Sequence, residues 1–79
     1  MLLIDTAPLM ISDDYRDRFK AEYYQTKIRR DKLKDMIDNW DDLNFVPTCE
    51  KSVYVNQLKA MDLYLDILTY RAEKEQINL

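Results

Sequence analysis

The chain contains no glycine, and its two prolines, Pro8 and Pro47, lie outside both of its long periodic stretches. That combination restricts the fold more than any motif in it. Tight turns between strands use positive φ, which glycine adopts at least cost, so a small sheet protein without glycine lacks its usual means of reversal. Glycine-rich phosphate loops are excluded on the same ground. Helix remains, and the break at DDLNFVPTC, residues 41–49, divides it in two. Two long helices with a short connection predict an antiparallel hairpin, with helices at about 13–40 and about 49–75 and a connection at about 41–48.

The ends of these helices carry capping signals. Ser12 is expected to cap the first helix, with Asp13 and Asp14 near the positive end of its dipole. Pro47 pushes Val46 out of helical geometry, and Thr48 is expected to cap the second helix with Glu50 in its first turn.

In the second helix Tyr54, Leu58, Met61, Leu65, Leu68 and Ala72 alternate spacings of four and three, the seam of a helix–helix contact. Beside it run Val53, Ala60, Tyr64 and Ile67, so the apolar arc is too wide for one partner helix. The first helix is also apolar on two sides. Tyr15, Phe19, Leu33, Ile37 and Trp40 share one; Ala21, Tyr24 and Ile28 project almost opposite, where a two-helix hairpin would leave them wet.

A chain of 79 residues has little core to spare, and such chains gain stability from disulfides, metals or association. One cysteine, Cys49, forms no internal bridge, and the absence of histidine argues against a zinc cage. Association is left. The expected fold class is therefore all-α: an antiparallel two-helix hairpin with a short N-terminal segment, assembling into a homo-oligomeric helical bundle. The first eleven residues, MLLIDTAPLMI, lack a basic region and are interrupted by Asp5 and Pro8, so they are not read as an export signal. No apolar run is long enough to span a membrane, and the lone thiol fits a reducing cytoplasm.

The formal charge of -3 conceals a split. From Tyr15 to Lys34 there are eight basic side chains against three acidic ones, a local excess of five positive charges that leaves eight negative for the rest. The same run, with the two acids before it, holds three of the six tyrosines. Arginine forks match phosphate oxygens, and a tyrosine ring offers a face on which a base stacks. Arg16, Arg18 and Lys20 form one cluster beside Tyr15; Lys27, Arg29, Arg30, Lys32 and Lys34 form another. A local explanation competes: the basic side chains pair with acids of their own helix, Asp17 with Lys20 and Asp31 with Lys27.

Catalysis is the poorest reading. There is no histidine to serve as general base or to activate Cys49, and Asp13/Asp14 and Asp41/Asp42 sit where helix ends explain them. DNWDD, residues 38–42, lacks the glycine-bearing loop of a calcium site. No cofactor is expected. Two binding readings beside small-anion capture stay open. The acidic stretch DMIDNWDDLNF, with Trp40 and Phe45, could anchor a basic protein partner, although Trp40 also has a simple role in closing the hairpin. A nucleic-acid strand could use the basic run, but the negative remainder of the chain argues against long nucleic acid.

Tyr15-Arg16, Glu22 seven residues after the tyrosine, Ile28, and Arg30 fifteen residues after it form a pattern that resembles the helical hairpin of the phage anti-CBASS proteins. These are small oligomeric sponges for the cyclic oligonucleotide signals of bacterial immune systems. The chain is similar also to a group of small crAss-like phage proteins. The resemblance covers about Tyr15 to Tyr64. It implies a non-enzymatic protein of the host cell cytoplasm, a cyclic oligonucleotide ligand, a base-stacking role for Tyr15 and a phosphate-holding role for Arg30. Arg16, Arg18 and Lys27 join them as candidate ligand residues by charge and proximity. The sequence departs from that pattern in three places: Arg18 stands where leucine is usual, Arg30 replaces a lysine, and Asn56 to Met61 replaces a threonine-lysine-aliphatic-Glu-Glu-Ala run.

On one continuous helix Tyr15 and Arg30 would lie about 22 Å apart at ~1.5 Å per residue. Either the helix breaks and folds back, or the two residues face one ligand from different subunits.

Overall fold

The computed structural model describes residues 1–79. All of its regular structure is helical, and it is dominated by two rods, α2 (Tyr15–Asp38) and α3 (Lys51–Glu75). A 3-10 turn at Leu3–Thr6 and a short α1 (Ala7–Met10) precede them, and a second 3-10 turn at Trp40–Asp42 opens the connection. The long axis of 42 Å is set by the rods, since 24 residues of helix span about 36 Å.

The two rods pack antiparallel along the predicted seam. Leu65, Leu68 and Ala72 are buried, and Phe19, Leu68, Ala72 and Ile77 form the core cluster, with Tyr23 against it. At the other end Trp40 lies 5.8 Å from Tyr54, centroid to centroid, with the Lys51 ammonium 6.0 Å from the indole. Trp40 therefore closes the hairpin.

The helix ends correct the capping expectations. Asp14, not Ser12, caps α2: its backbone is extended (φ −82°, ψ 122°) and its carboxylate accepts from Arg16 N–H at 2.9 Å. Ser12 is consumed by the turn between α1 and α2, where its hydroxyl accepts from Asp14 N–H and donates to Asp17. That contact also takes Asp17 from its expected partner, and no Asp17–Lys20 ion pair forms. At α3 neither Thr48 nor any other side chain caps the helix; Glu50 occupies the N-cap position in extended geometry instead of lying in the first turn.

The C-terminus of α3 achieves without glycine what glycine usually provides. Gln76 adopts the left-handed conformation (φ 57°, ψ 44°), Ile77 N–H donates to Ala72 O at 2.8 Å, and Gln76 N–H donates to Glu73 O at 3.3 Å. This pair of bonds satisfies the last carbonyls and turns Ile77 back into the core. Burial of Ile77 offsets the cost of a side chain at positive φ.

A second correction concerns the far side of α2. Ala21 is buried and Tyr24 and Ile28 are half-buried, because the N-terminal segment lies along that face. Gln25, one turn beyond Ala21, donates to the Thr6 hydroxyl at 3.0 Å, and Thr6 in turn donates to Leu3 O at 2.6 Å. Thr6 is fully buried and both its bonds are made inside the chain. The face expected to need a second copy is thus partly covered by residues 3–10. On α3 Val53, Leu63, Tyr64, Ile67 and Tyr70 are exposed, on the side of the helix away from Leu65, Leu68 and Ala72.

Candidate functional site

The antiparallel register decides which residues meet. Along the hairpin Tyr15 pairs with Glu75, Arg30 with Asp62 and Trp40 with Tyr54, numbers that sum to roughly 90 in each case. Tyr15, Glu22 and Arg30 lie seven and fifteen residues apart, near two and four helical turns, so they share one edge of α2. Each is answered across that edge by α3.

At the open end Tyr15, Arg71 and Glu75 form a closed triangle. The Tyr15 phenol donates to Glu75 Oε1 at 2.7 Å, Arg71 Nη2 donates to the Tyr15 oxygen at 3.0 Å, and Arg71 Nε donates to Glu75 Oε2 at 3.2 Å. The Arg71 guanidinium also lies 5.1 Å from the Phe19 ring, over the core. Together these contacts hold Tyr15 by its oxygen, and the residue is 47 % exposed. The hydrogen bond to Glu75 is the main reason the Tyr15 phenol is pushed above the ordinary tyrosine range. Midway along the edge Tyr64 donates to Glu22, and its phenol is raised by that bond in the same way.

Further along, Arg30 is gripped by two carboxylates. Its Nε donates to Asp62 Oδ1 at 2.6 Å and its Nη1 to Asp31 Oδ1 at 3.2 Å. Lys27 donates to both oxygens of Asp31 at 3.0 and 3.2 Å. The Asp31 carboxyl is accordingly held below its ordinary value, first by Lys27 and then by Arg30.

The five candidate residues thus fall into three places. Lys27 and Arg30 are brought together through Asp31; Tyr15 is remote from them, on the same unbroken helix. Arg16 is exposed in the first turn and forms no ion pair, while Arg18 turns back to donate to Ser12 O at 2.8 Å. Local pairing explains Lys27, which bridges to Asp31, and Lys34, which bridges to Asp38. Arg16, Arg18, Lys20, Arg29 and Lys32 have no carboxylate partner. The continuity of α2 removes the fold-back that would have let one chain bring Tyr15 to Arg30. The chain encloses no pocket.

Arg71, Glu75, Asp62 and Tyr64 were absent from the sequence-based set. Their signal was the register itself: once the connection is centred near residue 45, Tyr15 must meet the last turn of α3 and Arg30 must meet its middle. In the acidic connection Trp40 is taken up by Tyr54, but Phe45 is 53 % exposed.

No helix is long and apolar enough to cross a membrane. A family model described as Sequestin matches residues 13–74, well over half of the chain and including every candidate residue named from the sequence. It agrees with the resemblance carried by Tyr15, Arg16, Glu22, Ile28 and Arg30. No curated protein and no solved structure matches the chain.

Proposed function

The chain belongs to the Sequestin family, and from that premise we propose that it is a non-enzymatic phage protein that sequesters cyclic oligonucleotide immune signals and so blocks host antiviral defence. Binding without turnover is sufficient for that role. The ligand is held between subunits in the host cytoplasm, with Tyr15 stacking on a base and Arg30 of another subunit holding phosphate. Arg16, Arg18 and Lys27 supply further positive charge around it.

One observation carries this reading. Tyr15, a half-exposed residue, and Arg30 stand on the same edge of one unbroken helix, about 22 Å apart. A small closed anion cannot touch both in one chain, so the two residues serve one ligand only across an interface. The exposed arc of α3, from Val53 to Tyr70, supports association into a homo-oligomer.

Calorimetric titration of a panel of cyclic di- and trinucleotides tests the reading. Tyr15→Ala and Arg30→Ala are each expected to abolish binding while sedimentation shows the assembly intact. Unchanged affinity in both would remove the site.

Phe45, exposed beside Asp41 and Asp42, supports an alternative: a protein-binding inhibitor or adaptor that engages a host defence complex through the acidic connection. It predicts capture of a host protein that is lost in Phe45→Ala and retained in Arg30→Ala.

A further inference from the structure

The Arg30 guanidinium, read as a phosphate ligand, is already partly occupied by two carboxylates. A guanidinium offers an anion two bidentate edges, Nε with Nη2 and Nη1 with Nη2. Asp62 sits on Nε at 2.6 Å, which closes the first edge. Asp31 sits on Nη1 at 3.2 Å, which places a negative charge at the second. Nη2 has no partner, but a phosphate that takes the Nη1/Nη2 edge meets the Asp31 charge on Nη1 and competes with it.

The two carboxylates are not equally easy to replace. Asp62 comes from α3 and has Arg30 as its one ion-pair partner, so its departure would break a link between the helices and leave it with none. Asp31 belongs to α2, makes the longer contact, and keeps both oxygens on Lys27 when it lets go. Its side chain is 49 % exposed, so the exchange takes place at the surface and opens no core. The cheaper exchange frees the Nη1/Nη2 edge and leaves Nε anchored.

We propose that Asp31 is the internal competitor that an incoming phosphate displaces from Arg30, while Asp62 stays in place and aims the guanidinium. This rests on the reading of Arg30 as a phosphate ligand and assigns roles to two residues that reading does not use. Lys27 changes role as well. It receives the displaced carboxylate, and its charge reaches the ligand only in part because Asp31 remains on it.

The test is calorimetric titration of the cyclic di- and trinucleotide panel into the full chain and into Arg30→Ala, Asp31→Asn and Asp62→Asn, with circular dichroism confirming that each variant is folded. Asp31→Asn keeps shape but loses the competing charge, and is expected to bind about two- to fivefold tighter than wild type. Asp62→Asn loosens the anchor and is expected to bind weaker by a similar factor. A structural defect could not produce the gain. If Arg30→Ala loses binding while Asp31→Asn binds no tighter, Asp31 is no competitor and the inference is overturned although the site stands. If Arg30→Ala binds as wild type does, or wild type binds nothing in the panel, the reading of Arg30 falls and the inference falls with it. Lys27→Ala in the Asp31→Asn background completes the cycle: with no carboxylate left on it the Lys27 charge reaches the ligand in full, so a loss of affinity relative to Asp31→Asn alone is expected, and an unchanged affinity would overturn the masking of Lys27 by Asp31.

Discussion

The phenol of Tyr15 donates to Glu75 at 2.7 Å, tying the first turn of α2 to the last turn of α3 across sixty residues of sequence. The bond needs a protonated phenol beside an ionised carboxylate, which is why the Tyr15 value is raised. A raised value in the folded state gives stability that is fully present below the ordinary tyrosine range and is lost as pH rises through the raised one. Tyr64, bonded to Glu22, behaves alike. Spectrophotometric titration should therefore show Tyr15 and Tyr64 ionising late. Glu75→Gln should return one of them to the ordinary range, and Glu22→Gln the other. Titration of both variants indistinguishable from wild type would refute these contacts in solution.

Two adjacent residues of α3 should respond differently to substitution. Leu68 is fully buried between the rods, and Leu68→Ala should cost about 2–5 kcal/mol in chemical denaturation. Ile67, one position earlier, is 48 % exposed on the arc from Val53 to Tyr70. Ile67→Lys should keep the helical content of the chain and lower the mass seen in sedimentation, if the arc is the association surface proposed above. A loss of helix in Ile67→Lys with no change in Leu68→Ala would invert the packing described above.

The end of α3 offers a gain. Gln76 holds φ 57° with a β-carbon in a glycine-free chain, and its own side chain is exposed. Gln76→Gly should stabilise the protein by about 0.5–1 kcal/mol, read as a higher melting temperature, because the strain is removed while the Ile77 and Gln76 backbone bonds remain. A drop in melting temperature would mean that the turn at Gln76 is not left-handed in solution.

Much of the hairpin was legible in the sequence because absence of glycine and the spacing from Tyr54 to Ala72 are local facts, and the break around Pro47 is another. The caps were less so. Ser12, Asp13 and Asp14 are all competent to cap, and the choice was made by the turn from α1, which consumes Ser12. The N-terminal segment was opaque for a related reason. Asp5 and Pro8 interrupt any pattern, and the contact that seats it, Gln25 with Thr6, joins residues far apart in sequence. At the candidate site Tyr15 and Arg30 carried a signal in their own residue types. Glu75, Arg71 and Asp62 did not, since an acid or a base on an exposed helix acquires meaning only from the residue opposite. For the same reason the second apolar side of α2 was expected to be left wet: periodicity shows that a face is apolar, not that the N-terminal segment packs on it.

The central claim is that Tyr15 and Arg30 serve one ligand from two different chains. Mixing subunits measures this directly. Tyr15→Ala and Arg30→Ala are each expected to bind no cyclic oligonucleotide alone. An assembly reconstituted from equal amounts of both contains interfaces where an intact Tyr15 meets an intact Arg30, so calorimetry on it should recover a fraction of the wild-type sites at wild-type affinity. A mixture that co-assembles and stays as inactive as its components would contradict the account.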